Sequence, residues 1–216
     1  FVMQRATAVV THCQYGRREI LRLFPSNVPV YVIPHGNYSE VHPISATRQQ
    51  ARASLGIRAQ CFVYLLLGNI SPYKEVESFV QSFRECCSSH DIAIIAGRNR
   101  APDLVQRLEA LAASDSRFRL FVGFVPDDDV QYYLQASDVA VFCFREVLTS
   151  GSVILAMSYG LPVIAPARGC LPELVTAETG ILYDPADSGA LGDALRNIKR
   201  RYTSRMGAEA KRIADS

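Results

Sequence analysis

From Cys61 onward, short continuous apolar runs alternate with longer stretches in which apolar residues recur at helical spacing. The run "CFVYLLLGN" ends at Gly68 with no polar face, the pattern of a strand buried on both sides. In "KEVESFVQSFRECC" the residues Val76, Phe79, Val80, Phe83 and Cys87 fall on one helical face. The same alternation continues through "IAIIAG", "APDLVQRLEALAA", "FRLFVGF" and "PDDDVQYYLQA", where Pro126 and the aspartates that follow suit a helix start. It then runs through "DVAVFCF", "GSVILAMSYG", "PVIAP", the short helix "LPELV", "GILYD" and "SGALGDALRNIKRRY". Strand and helix in strict alternation predict an α/β fold with a doubly wound parallel sheet and right-handed crossovers.

Upstream, "ATAVVTH" and "YGRREILRLF" read as one further strand and helix, and "VPVYVIPHG" as a strand that ends in a loop. A polar connector with a short helix in "SATRQQARASLG" leads into the main sheet. The break falls near Ser26, Asn27 and Val28, which divides the chain into 1–27 and 28–216.

Composition narrows the function classes. The 216 residues are 49% apolar and 20% charged, with a formal net charge of +2, so a sizeable core is affordable and no electrostatic footprint for nucleic acid exists. No run reaches the roughly 20 apolar residues of a membrane span, and no signal-peptide pattern opens the chain, so a cytoplasmic protein is expected. The chain begins mid-pattern at Phe1, as a fragment would. The six cysteines lack metal-ligand spacing and mostly lie in or beside apolar runs, so reduced, structural thiols are expected.

In a parallel sheet, ligands gather beyond the carboxyl ends of the strands, and four loops there are chemically unusual. "GNISPYKE" leaves its strand at Gly68 and Asn69 and puts Lys74 at the start of a helix, where backbone N–H groups already favour an anion. "AGRNRAP" sets Arg98 behind Gly97 on the same edge. "FREVLTSGSVILAMSYG" brings Glu146, Thr149, Ser150, Gly151 and Ser152 to another helix start, and a glycine in that first turn permits close approach to the backbone. "IPHGNYSE" ends a strand at His35. Neither a Gly-x-Gly-x-x-Gly fingerprint nor a Gly-Lys-Ser/Thr phosphate loop is present, which argues against a dinucleotide domain and a P-loop enzyme.

Taken in order, these loops resemble the C-terminal, donor-binding half of group 1 (family 4) glycosyltransferases of the GT-B architecture, a Rossmann-like fold. The segments that carry the resemblance are "VYVIPHGNYSE", "LLLGNISPYKEVESFVQSF", and the run from "VLTSGSVILAMSYGLPVIAP" through "GCLPELV" to "TGILYDPADSGALGDAL". By the same resemblance, residues 1–27 correspond to the last strand and helix of the acceptor-binding half.

The resemblance implies a hexosyl-type transfer from a UDP- or GDP-linked sugar to an acceptor hydroxyl, with retention and with no cofactor or metal beyond the donor. Lys74 and the turn at Ser150, Gly151 and Ser152 would then face the diphosphate, together with Gly68, Asn69, Arg98 and Thr149. Glu146 would approach the sugar as the catalytic carboxylate, and His35 and Glu173 would lie near the donor. A carbohydrate or lipid-linked acceptor would come through the missing half, which could also bring the protein to a membrane surface. Two positions depart from the family pattern: Asn69 replaces an arginine, and Leu155 replaces the ribose-binding glutamate. These departures keep two alternatives open, a non-catalytic nucleotide-sugar-binding module and a nucleotide-sugar epimerase of similar fold.

Overall fold

The computed structural model describes residues 5–25, 27–39, 41 and 45–216. Six parallel strands form one sheet in the order β5-β4-β3-β6-β7-β8. They are β3 (Phe62–Leu67), β4 (Asp91–Gly97), β5 (Phe118–Val122), β6 (Val139–Val141), β7 (Val163–Pro166) and β8 (Gly180–Tyr183). All seven positions of β4 are buried, which explains why the strand reads as an unbroken apolar run.

Successive residues of β3 serve opposite layers. Val63 and Leu65 face α5 (Asp127–Ala136) and α6 (Gly151–Ser158). Tyr64 and Leu66 face α3 (Val76–Cys86), α4 (Pro102–Ser114) and α8 (Ala190–Arg201). The doubly wound arrangement expected from the alternation is therefore present, with a core on each face.

The amino-terminal elements form a separate, parallel two-stranded sheet of β1 (Val9–Thr11) and β2 (Val30–Val32), with α1 (Gln14–Leu23) between them. Ser26, where the sequence places the boundary, lies outside the described residues. The capping box of Thr47 and Gln50 opens α2 (Arg48–Ser54). The last helix, α9 (Ser204–Ala214), was not anticipated; it buries Met206 and Ala210. Gly207 lets α9 press on the end of α6, since a Cβ there would lie 2.3 Å from the Gly160 carbonyl oxygen.

Two sequence readings need correction. Cys13 and Cys170 are not reduced thiols but form a disulfide across 157 residues, because the fold brings their Cα atoms to 5.8 Å. In addition, Lys74 does not open an α-helix. Pro72–Lys74 form a 3-10 turn, and the left-handed Glu75 (φ 44°) separates it from α3.

A buried ion pair fixes α2 to the sheet. Arg52, 4% exposed, donates to Asp138 at 2.8 Å and to the carbonyls of Ala136, Ala59 and Cys61. The same carboxylate accepts the Val63 N–H at 2.7 Å, so β3 and β6 share the charge. Replacing Arg52 by Met should cost about 3 kcal/mol in urea denaturation, because Asp138 and the carbonyls lose their buried donor.

Candidate functional site

The loops after β3 and β4 close on each other at the carboxyl edge of the sheet. Gly68 donates to the Ala96 carbonyl at 2.9 Å and Ile70 to the Arg98 carbonyl at 2.8 Å. A Cβ on Gly97 would lie 1.7 Å from the Gly68 carbonyl oxygen, so the approach requires glycine there. The chain then turns under this edge, and the 3-10 turn carries the Lys74 side chain back beneath Gly68.

Lys74 is 5% exposed. Its Nζ donates weakly to the Leu67 carbonyl at 3.4 Å and sits 5.4 Å from the centre of the Phe144 ring. No described carboxylate pairs with it. Burial lowers its pKa from the usual 10.5 to about 8.

The strained residue beside it is held from outside: Glu75 pairs with Arg145 at 3.1 Å, and the Arg145 N–H donates to the Tyr73 carbonyl. The loop after β6 thus fixes the turn that aims Lys74 inward. Close by, Ser71 Oγ is buried without a hydrogen-bond partner among the described residues.

The start of α6 meets this cation. A Cβ on Gly68 would be 2.5 Å from Lys74 Nζ and 3.7 Å from Ser152 Oγ, which brings the three residues together. Ser150 caps the helix, its Oγ accepting from the Val153 N–H at 3.4 Å. The N–H groups of Gly151 and Ser152 occupy the first two helical positions, where no carbonyl of the helix can take them. Gly151 faces the loop after β2, because its Cβ would fall 2.8 Å from the Tyr38 hydroxyl and 3.6 Å from His35 Nε2. His35 Nδ1 donates to the Gly36 carbonyl at 2.7 Å, which leaves the Nε2 edge of the ring toward Gly151.

Other expected residues are placed differently. Asn69 is exposed at the loop tip, and Arg98 lies over Phe124 at 4.2 Å. Thr149 and His35 line a cavity of about 340 Å³ together with His12, Cys13, Cys170 and Glu173. Both Glu173 oxygens accept backbone N–H groups at the start of α1, from Gln14 at 2.8 Å and Tyr15 at 2.6 Å. Glu146 is exposed in a separate hollow with Arg168 and Gly169. Leu155 packs against the core beneath α6. Sequence reasoning missed Tyr38 and Ser71, whose positions depend on loop paths that periodicity does not encode.

A family model described as glycosyl transferases group 1 matches residues 61–200. The chain belongs to the group 1 glycosyltransferases. The chain of this glycosyltransferase is similar to O-antigen chain mannosyltransferase B of Escherichia coli, at 23% identity over 99% of its own length and 57% of the relative. Among solved structures it resembles sucrose-phosphate synthase from Thermosynechococcus elongatus, with a TM-score of 0.82, 23% identity and coverage of 99% and 54% of the two chains. It also resembles Anabaena HepE in complex with UDP and glucose, with a TM-score of 0.81, 21% identity and coverage of 97% and 58%. These likenesses establish a shared fold, and the chain spans just over half the length of each protein named. Among the described residues, no helix is long and apolar enough to cross a membrane.

The buried ammonium predicts a sign for pH dependence. Lys74 is held below its unfolded pKa, so the unfolded chain binds the extra proton between about pH 8 and 10.5. The stability of the wild type relative to Lys74→Met should therefore rise across that interval, by up to about 3 kcal/mol. Paired urea melts at pH 7.5, 9 and 10 check this, and a flat difference would contradict it.

Proposed function

We propose that this chain is the donor-binding half of a retaining glycosyltransferase that moves a hexosyl group from a nucleotide-diphosphate sugar to an acceptor hydroxyl. The observation that carries the reading is the buried Lys74 ammonium, which among the described residues lacks a carboxylate partner and sits beside the N–H groups that open α6. Holding a cation out of water without a counter-charge is costly, and a diphosphate would supply the missing charge.

In the transfer, the bond from the anomeric carbon to the diphosphate breaks, and its electron pair leaves with the phosphate oxygen. The acceptor oxygen forms the new bond and gives up its proton. Negative charge grows on the diphosphate, so Lys74, the N–H groups of Gly151 and Ser152, and the Ser152 hydroxyl act where the transition state needs them. Asn69 and Arg98 lie at the solvent side of this cradle. Glu146 is the candidate sugar contact, reached across the rim. Retention rests on the family resemblance, and no metal or cofactor takes part in this reading. HepE, with UDP and glucose in its complex, has the same fold.

Residues 1–27 would then belong to the acceptor-binding half. Around β1, α1 and β2 the apolar residues Val10, Leu23, Phe24, Tyr31 and Ile33 are all more than half exposed, as expected of a surface continued by further chain. The acceptor, a carbohydrate or lipid-linked sugar, would enter from that half, at the cytoplasmic face of a membrane.

Leu155 favours one second reading. A leucine packed on the core stands at the position expected to bind the ribose, as suits a nucleotide-sugar-binding module without transfer.

Calorimetric titration with UDP, GDP and their sugars tests the site. Binding should be at least about tenfold weaker in Lys74→Met, the loss of one buried charge-assisted contact. Absence of binding to every nucleotide would remove the reading. Release of nucleoside diphosphate on sugar transfer by the longer protein separates the enzyme from the binding module.

A further inference from the structure

We propose that Cys13 and Cys170 form a reversible thiol–disulfide exchange site, which takes a small thiol or dithiol as co-reactant and controls how firmly the two-stranded sheet is fixed to the six-stranded one. This inference is independent of the donor reading. Cys13 caps α1, and Cys170 directly precedes α7 (Leu171–Leu174), so the bond joins the amino-terminal unit to the loop after β7. Both cysteines line the 340 Å³ cavity shared with His12, His35 and Glu173, which gives a small thiol a route to the sulfurs.

The position also selects the order of the chemistry. A thiolate that attacks Cys170 Sγ forms a mixed disulfide there and expels Cys13 as the thiolate. That sulfur stays at the start of a ten-residue helix, where it accepts the Gly16 N–H at 3.2 Å. A helix start favours the thiolate, and a stabilised thiolate is the better leaving group. A second thiol then attacks the mixed disulfide, leaving two protein thiols and one oxidised disulfide of the reductant. Two electrons pass from the reductant to the protein, and two protons complete the thiols.

The consequence lies in the second tie at the same place. Glu173, three residues after Cys170, accepts the Gln14 and Tyr15 N–H groups. Oxidised, the unit is held covalently. Reduced, it rests at this point on hydrogen bonds to one carboxylate, which can open and reclose. Among the free thiols, burial pushes Cys87 and Cys143 up to about 12, Cys61 is buried, and Cys86 is half-buried with its sulfur accepting from Arg196 at 2.8 Å.

The test is made on the full chain. Under denaturing conditions, maleimide labelling with mass spectrometry should count four free thiols in the air-oxidised protein, Cys61, Cys86, Cys87 and Cys143. After native treatment with millimolar glutathione or with dithiothreitol the count should be six, the full complement. Reduction by both reagents identifies an open site, whereas reduction by dithiothreitol alone assigns the co-reactant to dithiols. Amide exchange of residues 9–32 should accelerate at least about tenfold on reduction, while exchange in β3 and β4 stays unchanged. Cys170→Ser should reproduce the faster exchange without reductant, and if that variant fails to fold, the reduced wild type gives the same readout. The proposal is overturned by six free thiols in the oxidised protein, by a bond that resists both reductants in the native state, or by identical exchange in the two redox states.

Discussion

Burial of the central strands on both faces is the constraint from which the rest follows. With β4 covered at every position and β3 lending alternate residues to two cores, polar chemistry is confined to the strand ends. The close contact of Gly97 with the Gly68 carbonyl then fixes where the first loop can run, and that path brings Lys74 under the edge beside α6. The site is thus a product of sheet closure. Among the described residues its charge has no carboxylate partner, and the Phe144 ring is a near neighbour of the ammonium.

Two devices keep this arrangement rigid. Glu75 takes a left-handed conformation that a side chain adopts only at a cost, and its pairing with Arg145 anchors the turn to the loop after β6. On the other side of the sheet edge, Arg52 and Asp138 lock α2, β3 and β6 together at their opposite ends. The loop carrying Lys74 and the loop leading to α6 are therefore braced by the same neighbouring strands, so their relative position is set before any ligand arrives.

Much of this was legible in the sequence, for identifiable reasons. Strands buried on both sides read as unbroken apolar runs, and helices such as α3 announce themselves through Val76, Phe79 and Phe83. Lys74 and the Ser150–Ser152 turn stood out after such runs, and the fold brings Lys74 and Ser152 together. What escaped depends on tertiary contact. The 3-10 turn at Pro72–Lys74 has too few residues to carry a period. Gly207 meets the Gly160 carbonyl in a close approach that only the folded chain reveals. The engagement of Glu173 with α1 spans about three quarters of the chain, and the pairing of Cys13 with Cys170 spans 157 residues, distances at which spacing carries no information.

That separation also has a consequence for synthesis. β1, α1 and β2 are made well before the groups that fasten them, because Cys170 and Glu173 emerge only after β7. During translation the amino-terminal unit must wait, its apolar side chains exposed, while the first five strands of the main sheet are laid down. The unit is thus made long before it is secured, and chaperones would meet its apolar side chains in that interval.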